Sequence, residues 1–281
     1  MATFTNRATL SFNGGSTNSN TVTGELVEVL TATKTAIPQT YRPGDRVTYV
    51  VTLVNTGTVA LTNLTVTDNL GAYTVDGLTL YPLTYESALF YQNGVLQPTP
   101  AVTPGPPLSF GGVTVPAGGN ATLIYDAVVN EYASPISGGT VENTVTVTGD
   151  GLASPVVATE VITAQEGTEL SITKSISPAV VTDNGQLTYT FVIQNSGNTE
   201  ALATDDLVLT DTFNPILNPI SVTYNGALWT AGVNYTYDPT TGAFATLPGQ
   251  ITVPAATFTQ NPDGSWTTTP GTAVISVTGT V

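Results

Sequence analysis

Hydrophobic and polar residues alternate in short runs along most of the chain, with a period of two residues. This period is typical of β-strands that have one buried and one exposed face. Turn sequences such as Pro43-Gly44-Asp45 separate the runs. No segment has a sustained period of 3.6 residues, so we predict an all-β protein. The clearest strands of the first half are predicted at Gly24–Lys34, Arg46–Asn55, Leu61–Leu70, Thr122–Val129 and Val141–Thr148.

The second half of the chain repeats motifs of the first half in the same order. The matching segments, first copy before second, are Thr33-Lys34-Thr35 with Thr173-Lys174-Ser175, Asn55-Thr56-Gly57 with Asn195-Ser196-Gly197, and Val66-Thr67-Asp68 with Leu209-Thr210-Asp211. Ordered matches of this kind indicate two copies of one structural unit. We predict two tandem immunoglobulin-like β-sandwiches at residues 22–164 and 165–281, preceded by an N-terminal arm at residues 1–21.

The repeated unit carries a characteristic set of short motifs. In chain order they are Thr-Lys, Pro-Gly-Asp, Val-Thr-Tyr-x-Val, Asn-Thr-Gly, Val-Thr-Val-Thr-Asp-Asn-Leu and Glu-Asn-Thr-Val-Thr-Val. This order resembles the conserved repeat domain of bacterial surface proteins, a family of unknown function. The resemblance covers residues 24–148 and, less completely, residues 169–281. It implies an extracellular, immunoglobulin-like, non-enzymatic structural module, and it names no ligand.

A further alternating segment precedes both copies. The residues on its mostly apolar face are Phe4, Asn6, Ala8, Leu10 and Phe12. We predict one β-strand from residue 4 to residue 12, followed by a flexible Gly/Ser/Asn tether at residues 13–20. A lone strand leaves its backbone groups unpaired, so this donor strand needs a sheet to join.

The two copies differ at their ends. The first copy closes with the strand Val141–Val147, whereas the last strand of the second copy is Ala273–Val281. On one alignment the second copy lacks its closing strand, and Phe4–Leu10 matches Val141–Val147 in alternation and in the position of its Asn. On the other alignment Ala273–Val281 is itself the closing strand, and the arm is an extra edge strand or is disordered.

The first alignment predicts assembly between copies. A tether of residues 13–21 spans at most ~30 Å, whereas a sandwich of this size is roughly 40 Å long. We therefore expect the arm to enter the second domain of a neighbouring copy, as in donor-strand complementation. Such a contact is heterologous and propagates into a filament or a ring.

Three polar residues of the first copy occupy strand positions that otherwise look like core. Lys34 alternates with Leu30 and Ala32, while Asp68 and Asn143 also lie among apolar neighbours. One interpretation is a buried Lys–Asp pair hydrogen-bonded to the Asn amide. The other is an intramolecular isopeptide bond, in which a neutral lysine attacks the Asn side chain while a protonated Asp polarises it.

The same triad is typical of isopeptide-linked adhesin and pilus domains, which these units resemble. The second copy has Lys174 and Asp211 at the equivalent positions, but on the arm alignment it has no equivalent Asn. Asn6 of a neighbouring subunit would supply one. We therefore predict a Lys174–Asn6 crosslink between subunits, with one ammonia molecule lost for each bond.

Composition narrows the classes of function. The net charge of −15, from five Lys and Arg against twenty Asp and Glu, argues against nucleic acid and anionic membranes as partners. The absence of Cys and His excludes disulfides, thiol catalysis and histidine triads. We expect no enzyme activity, no cofactor and no metal site.

We predict a structural subunit of a bacterial extracellular filament whose partners are other copies of itself. The alternative is a monomeric adhesin or wall module that binds a ligand through exposed loops. The first twenty residues contain no apolar segment typical of a signal peptide, and no apolar run is long enough to span a membrane. An extracellular role then requires trimming of the chain or another release route, such as mother-cell lysis onto a spore surface.

Overall fold

The computed structural model describes residues 2–26 and 28–281, and among these the side chains of residues 4–24 and 28–281. The regular structure of these residues is β-sheet apart from one 3₁₀ turn at Ala203–Asp205. The prediction of an all-β protein is therefore confirmed. The chain divides into two compact units, unit 1 (Met1–Ser134 and Thr140–Thr163) and unit 2 (Pro135–Gly139 and Ala164–Val281).

The N-terminal segment folds as a β-hairpin, which we call the arm hairpin. Its strands are β1 (Ala2–Asn6), β2 (Thr9–Phe12), β3 (Gly15–Asn18) and β4 (Val22–Leu26). Strand β1 pairs with β4, and β2 pairs with β3, both antiparallel. Asn13 and Gly14 reverse the chain, with Gly14 at a φ of 116°. The prediction of a flexible tether at residues 13–20 is therefore wrong, because an Asn-Gly pair between two alternating segments favours a tight hairpin turn.

The remainder of unit 1 is a sandwich of two sheets. Its strands are β5 (Leu30–Ile37), β6 (Thr40–Tyr41), β7 (Arg46–Asn55), β8 (Leu61–Asp68), β9 (Tyr73–Val75), β10 (Leu78–Leu80), β11 (Leu83–Gln92), β12 (Val95–Gln97), β13 (Ala101–Thr103), β14 (Leu108–Val115), β15 (Asn120–Val129), β16 (Thr140–Thr148) and β17 (Val156–Ala164). One sheet has the order β12-β11-β15-β7-β5, the other has the order β13-β14-β8-β16-β17-β6, and β9 and β10 form a separate pair. The strand predicted at Gly24–Lys34 is wrong, because those residues are divided between β4 and β5.

The core of unit 1 lies between its two sheets and follows the alternation of the sequence. Strand β7 buries every second residue from Val47 to Asn55. Strand β16 buries Val141, Asn143, Val145 and Val147 on the facing sheet. Because side chains of a strand alternate between its two faces, the same pattern that buries the valines also buries Asn143.

Unit 2 has one complete sheet and one reduced sheet. Its strands are β18 (Leu170–Ser177), β19 (Gln186–Asn195), β20 (Thr210–Thr212), β21 (Ile220–Tyr224), β22 (Ala227–Trp229), β23 (Tyr235–Tyr237), β24 (Ala243–Thr246), β25 (Thr257–Gln260), β26 (Trp266–Thr269) and β27 (Gly271–Thr280). The larger sheet has the order β18-β19-β27-β21-β22, the smaller has the order β20-β24-β23, and β25 and β26 form a separate pair.

Strand β27 is the counterpart of β15. It pairs with β19 and β21, just as β15 pairs with β7 and β11 in unit 1. The alternative alignment, in which residues 273–281 form the closing strand, is therefore wrong, because β16 lies in the opposite sheet of its unit.

The described residues of unit 2 include no counterpart of β16 or β17. In unit 1, β8 pairs with β14 on one side and with β16 on the other. Strand β20 pairs with β24 on one side, and no described strand pairs with its other side. We call residues 207–212, which end in β20, the acceptor edge. Every residue of β18 is exposed, whereas β5 alternates between buried and exposed residues.

Candidate functional site

Both sheets of unit 1 contribute to the predicted triad. Lys34 lies on β5 of one sheet, while Asp68 ends β8 and Asn143 lies on β16 of the other. Asp68 is opposite Val145, two residues along β16 from Asn143. All three side chains are buried, with relative exposures of 5% for Lys34, 1% for Asp68 and 0% for Asn143. The predicted burial of these residues is therefore what the structure has.

A chain of hydrogen bonds joins the triad. Lys34 Nζ lies 2.5 Å from Asp68 Oδ2. The Tyr125 hydroxyl donates to the same Oδ2 at 2.5 Å, and Asn143 Nδ2 donates to the Tyr125 oxygen at 2.9 Å. The Leu70 backbone N–H donates to Asp68 Oδ1 at 2.9 Å. Lys34 and Asp68 are thus in direct contact, while Tyr125 bridges Asp68 and Asn143.

Aromatic rings enclose the lysine. Lys34 Nζ lies 4.9 Å from the centroid of the Tyr49 ring and 5.8 Å from that of Tyr125. The two rings stack on each other with centroids 5.3 Å apart. Burial among them lowers the pKa of Lys34 to about 8, although the charge of Asp68 acts in the opposite direction. The lysine therefore loses its proton more readily than a lysine in water.

The tyrosine hydroxyls keep their protons in this environment. Burial raises the pKa of Tyr125 well above the ordinary tyrosine value, and the nearby Asp68 charge adds to the effect. Burial likewise raises the pKa of Tyr49. Tyr125 is thus available as a neutral donor to Asp68 and as an acceptor from Asn143.

The carbonyl oxygen of the Asn143 side chain is buried without a hydrogen-bond partner. The Tyr49 hydroxyl lies beside this amide and is influenced by it, yet neither the hydroxyl nor Asn143 Oδ1 forms a well-aligned hydrogen bond. A buried unsatisfied acceptor costs about 1–3 kcal/mol. The amide carbonyl is consequently free to accept a proton or a hydrogen bond from an acid.

The equivalent site of unit 2 is incomplete. Lys174 forms an ion pair with Asp211, but its side chain is 40% exposed and that of Asp211 is 18% exposed. Lys174 Nζ lies 4.5 Å from the centroid of the Tyr189 ring. The strand that carries Asn143 in unit 1 has no counterpart among the described residues of unit 2. The expected core-like setting of Lys174 is therefore wrong for the single chain, because no described strand covers this end of β18.

The pairing of the strands also shows what replaces Tyr125. Ala121 lies opposite Leu53 in unit 1, and Ala273 lies opposite the equivalent residue, Ile193, in unit 2. Four residues further along, Tyr125 therefore corresponds to Val277. The hydroxyl that bridges Asp and Asn in unit 1 is absent from this position in unit 2.

Sequence reasoning missed both tyrosines of the unit 1 site. A signal was present, because Tyr125 alternates with the buried residues Leu123 and Ala127. Tyrosine is common in strands, however, and its alternation does not distinguish a packed ring from a hydroxyl that bridges two polar groups. Only the order of the strands in the sheets brings Tyr125 to Asp68.

The described residues contain no group of three or more His, Cys, Asp or Glu arranged to hold a metal ion. Within the same part of the chain, no helix has the length and apolar character needed to cross a membrane.

No protein-family model matches the chain, and no curated protein sequence matches it. Several solved structures are similar in fold. The D312A variant of BcpA, the major pilin subunit of Bacillus cereus, is 13% identical over 95% of this chain and 73% of its own, with a TM-score of 0.39. A 35 kDa C-terminal fragment of the major pilin GBS80 of Streptococcus agalactiae is 13% identical over 87% of this chain and 79% of its own, with a TM-score of 0.35.

A collagen-binding domain from a Staphylococcus aureus adhesin is 10% identical over 50% of this chain and 100% of its own, with a TM-score of 0.30. The solved structures named here are two pilins and an adhesin domain. At these scores the similarity is one of β-sandwich fold. The function is therefore inferred from the geometry of the two units.

Proposed function

We propose that the protein is a structural subunit of a bacterial extracellular filament, in which the arm of one subunit occupies the acceptor edge of the next. The observation that carries this proposal is the unpaired acceptor edge beside the exposed Lys174–Asp211 pair. In unit 1 the same edge is covered by β16. The chain holds a second strand of the β16 type in its arm.

The arm resembles β16 in its alternation and in the position of its Asn. The four buried residues of β16 are Val141, Asn143, Val145 and Val147, and their counterparts in the arm are Phe4, Asn6, Ala8 and Leu10, all of which are exposed. In unit 1, Val145 lies opposite Asp68 and Val147 lies opposite Val66. The same register in unit 2 sets Ala8 opposite Asp211 and Leu10 opposite Leu209. Asn6 then takes the position of Asn143.

Burial of apolar surface supplies the driving force for this contact. Phe4, Leu10 and Phe12 are 57%, 66% and 59% exposed in the arm, and Ile172 on β18 is 52% exposed. Full burial of an aromatic or aliphatic side chain of this size contributes about 1.5–3 kcal/mol. An interface between the N-terminus of one copy and the C-terminal unit of the next is heterologous, so it propagates along a filament.

Within unit 1, we propose an isopeptide bond between Lys34 and Asn143. One proton moves from Lys34 Nζ to the Asp68 carboxylate, which leaves a neutral amine next to a carboxylic acid. The Nζ lone pair forms a bond to Cγ of Asn143, and the bond from Cγ to Nδ2 breaks. Nδ2 leaves as ammonia with a second Nζ proton, while the third stays on the new amide. Asp68, which contacts Lys34 Nζ and is bridged by Tyr125 to Asn143 Nδ2, would pass the protons and, once protonated, would turn toward the carbonyl to polarise it.

Between subunits, we propose the equivalent bond from Lys174 to Asn6 of the incoming arm. Asp211 already contacts Lys174 Nζ and would serve as the acid. Because Val277 stands where unit 1 has Tyr125, Asp211 would have to contact the Asn6 amide without a bridging hydroxyl from that position. We therefore expect the bond between subunits to form more slowly than the bond within unit 1.

The test is removal of the arm. We expect purified wild-type protein to form filaments visible by electron microscopy and a ladder of multimers after boiling in SDS. A variant that lacks residues 2–26 should keep its β-sheet circular dichroism and form neither. The matched variant Lys174→Ala should still form filaments, which dissociate to monomers in SDS, because the donor contact remains while the covalent bond cannot form.

Filaments assembled by the arm-deleted variant would contradict donation of the arm. Wild-type filaments that dissociate fully in SDS would refute the covalent bond alone. If neither wild type nor the arm-deleted variant assembled, a monomeric surface module that binds a ligand through its loops would be the better explanation.

A further inference from the structure

We infer that the donor is the whole arm hairpin, with β3 and β4 supplying the counterpart of β17 while β1 and β2 supply the counterpart of β16. This inference rests on the proposed function. It differs from single-strand donation in giving residues 15–26 a defined place in the sheet of the receiving subunit. A single inserted strand would instead leave these residues as a connector.

The first support is topological. In unit 1, β16 and β17 are consecutive antiparallel strands, and β17 continues the sheet beyond β16. The described residues of unit 2 lack counterparts of both strands. In the arm hairpin, β1 and β2 run along one side and pair antiparallel with β4 and β3 on the other. The arm therefore has the same two-sided antiparallel arrangement as the β16–β17 hairpin.

The second support is the register of buried pairs. Val141 lies opposite Ile162 in the β16–β17 hairpin, and both side chains are buried. Phe4, the counterpart of Val141, lies opposite Gly24 in the arm. The Phe4 ring covers this glycine, because a Cβ added to Gly24 would lie 2.4 Å from Phe4 Cζ. The large Phe4 ring and the glycine at position 24 thus stand where unit 1 has two side chains of middle size, Val141 and Ile162. The pair in the arm remains compact for this reason.

The third support is the connection to the next strand. Strand β17 leads through residues 165–169 into β18, the strand that carries Lys174. Strand β4 leads through residues 27–29 into β5, the strand that carries Lys34. An inserted arm hairpin would therefore lead into β5 of unit 1 in the same way that the β16–β17 hairpin leads into β18 of unit 2. Each unit of the filament would be closed by a hairpin that runs directly into the following unit.

Backbone hydrogen bonding favours the same conclusion. Insertion of β1 and β2 alone would break their pairing with β4 and β3 and leave the amides of residues 15–26 without strand partners. Unpaired strand groups are costly unless water replaces the lost hydrogen bonds. Insertion of the intact hairpin keeps all of these bonds.

A disulfide lock tests whether the hairpin stays closed. Thr5 and Thr23 lie opposite each other and are exposed, and their counterparts in unit 1, Glu142 and Val161, are also exposed. The wild-type chain has no cysteine, so the variant Thr5→Cys/Thr23→Cys can form one defined disulfide. We expect the oxidised and reduced forms of this variant to polymerise at the same rate. If the reduced form polymerises and the oxidised form does not, the strands must separate and the inference is overturned.

A volume swap gives a second, independent readout. Gly24→Ile alone should slow polymerisation, because the new side chain meets the Phe4 ring. The double variant Phe4→Val/Gly24→Ile restores the Val–Ile arrangement of unit 1 and should recover the wild-type rate. Single-strand donation predicts the opposite sign for Gly24→Ile, since a weakened hairpin would release β1 more easily. An unchanged or faster rate for Gly24→Ile would therefore overturn the inference.

Both experiments separate this inference from the proposed function. If wild-type protein fails to polymerise, or polymerises without its arm, arm donation itself fails. If wild type polymerises through its arm but the oxidised lock variant does not, only the hairpin inference fails.

Discussion

The two Lys–Asp pairs use equivalent residues on equivalent strands, yet they lie in different surroundings. Lys34 and Asp68 are buried between two complete sheets, and Tyr125 connects them to Asn143. Lys174 and Asp211 face solvent beside the acceptor edge. The β16–β17 hairpin is present in unit 1 and has no counterpart among the described residues of unit 2. Two strands thus decide whether the same pair is buried or exposed to solvent.

The comparison teaches that the environment, more than the identity of the residues, determines the chemistry of the pair. A lysine in water is protonated at neutral pH and is not a nucleophile. Burial lowers the pKa of Lys34 to about 8, so a larger fraction of this lysine is the neutral amine at neutral pH than for a lysine in water. Delivery of the covering strands by another subunit would couple the reactivity of Lys174 to assembly, so that crosslinking could follow only correct docking.

The largest expected difference between the units is in stability. Lys34→Ala leaves Asp68 buried and unpaired, which should lower the free energy of unfolding of unit 1 by about 3–5 kcal/mol. The matched variant Lys174→Ala removes a partly exposed pair and should cost about 0–1 kcal/mol. Both values apply to the unpolymerised protein and exclude any effect of the isopeptide bond itself.

Two probes measure the units separately. Both tryptophans, Trp229 and Trp266, lie in unit 2, so their fluorescence during urea unfolding follows that unit alone. Circular dichroism follows both units. Lys34→Ala should shift the dichroism transition and leave the tryptophan transition in place. Equal shifts from the two lysine variants would mean that the difference in burial has no energetic consequence.

Much of unit 1 was predictable from its sequence. The period of two residues identified β7, β8, β15 and β16, and it correctly assigned Lys34, Asp68 and Asn143 to buried faces. Alternation is a local property, and these residues lie in regular strands whose faces it determines. Because the second half of the chain repeats these motifs, the sequence predicted buried faces for Lys174 and Asp211 as well.

The remaining features depend on contacts between distant segments. Tyr125 reaches Asp68 only because β15 and β8 face each other across the sandwich, and no local pattern encodes that pairing. The arm hairpin was missed because residues 13–20 are polar and Gly-rich, which suits a linker as well as a turn. The exposure of Lys174 follows from strands that the second unit lacks, so alternation alone predicted burial there.

An intermediate effect is expected when the bridging hydroxyl is removed. Tyr125→Phe deletes a donor to Asp68 and the acceptor for Asn143 Nδ2. Because a buried polar group left without a partner costs about 1–3 kcal/mol, unit 1 should be destabilised by that amount and should lose ammonia more slowly. The protein is recovered unfolded in denaturant and is then refolded. Intact-mass spectrometry follows the loss of ammonia during refolding.

Tyr49→Phe is the matched control for this substitution. It removes a hydroxyl that forms no well-aligned hydrogen bond and keeps the ring that stacks on Tyr125. We expect little change in stability and no slower release of ammonia. If both phenylalanine variants react at the wild-type rate, the bridge through Tyr125 has no role in the reaction.

The last expected effect is that of pH, which changes no residue of the protein. The proposed reaction needs the Lys34 proton, which passes to the Asp68 carboxylate as the amine becomes neutral. Above the Lys34 pKa of about 8, Lys34 has already lost this proton to solvent, so the proton cannot be passed on to polarise the Asn143 carbonyl. The rate of ammonia release should therefore be constant well below pH 8, fall to about half at pH 8, and then approach a tenfold decrease for each further pH unit.

The direction of this dependence distinguishes two roles of Asp68. If the carboxyl only accepts a proton from the lysine, deprotonation of Lys34 by solvent would substitute for it, and the rate would rise through pH 8 and then level off. If the carboxyl must also donate to the amide, the rate falls, because the second proton is gone. Asp68→Asn provides the control, since it removes the acid and should abolish the falling limb together with most of the reaction. A rising profile in wild type would mean that Asp68 acts only as the base that takes a proton from Lys34.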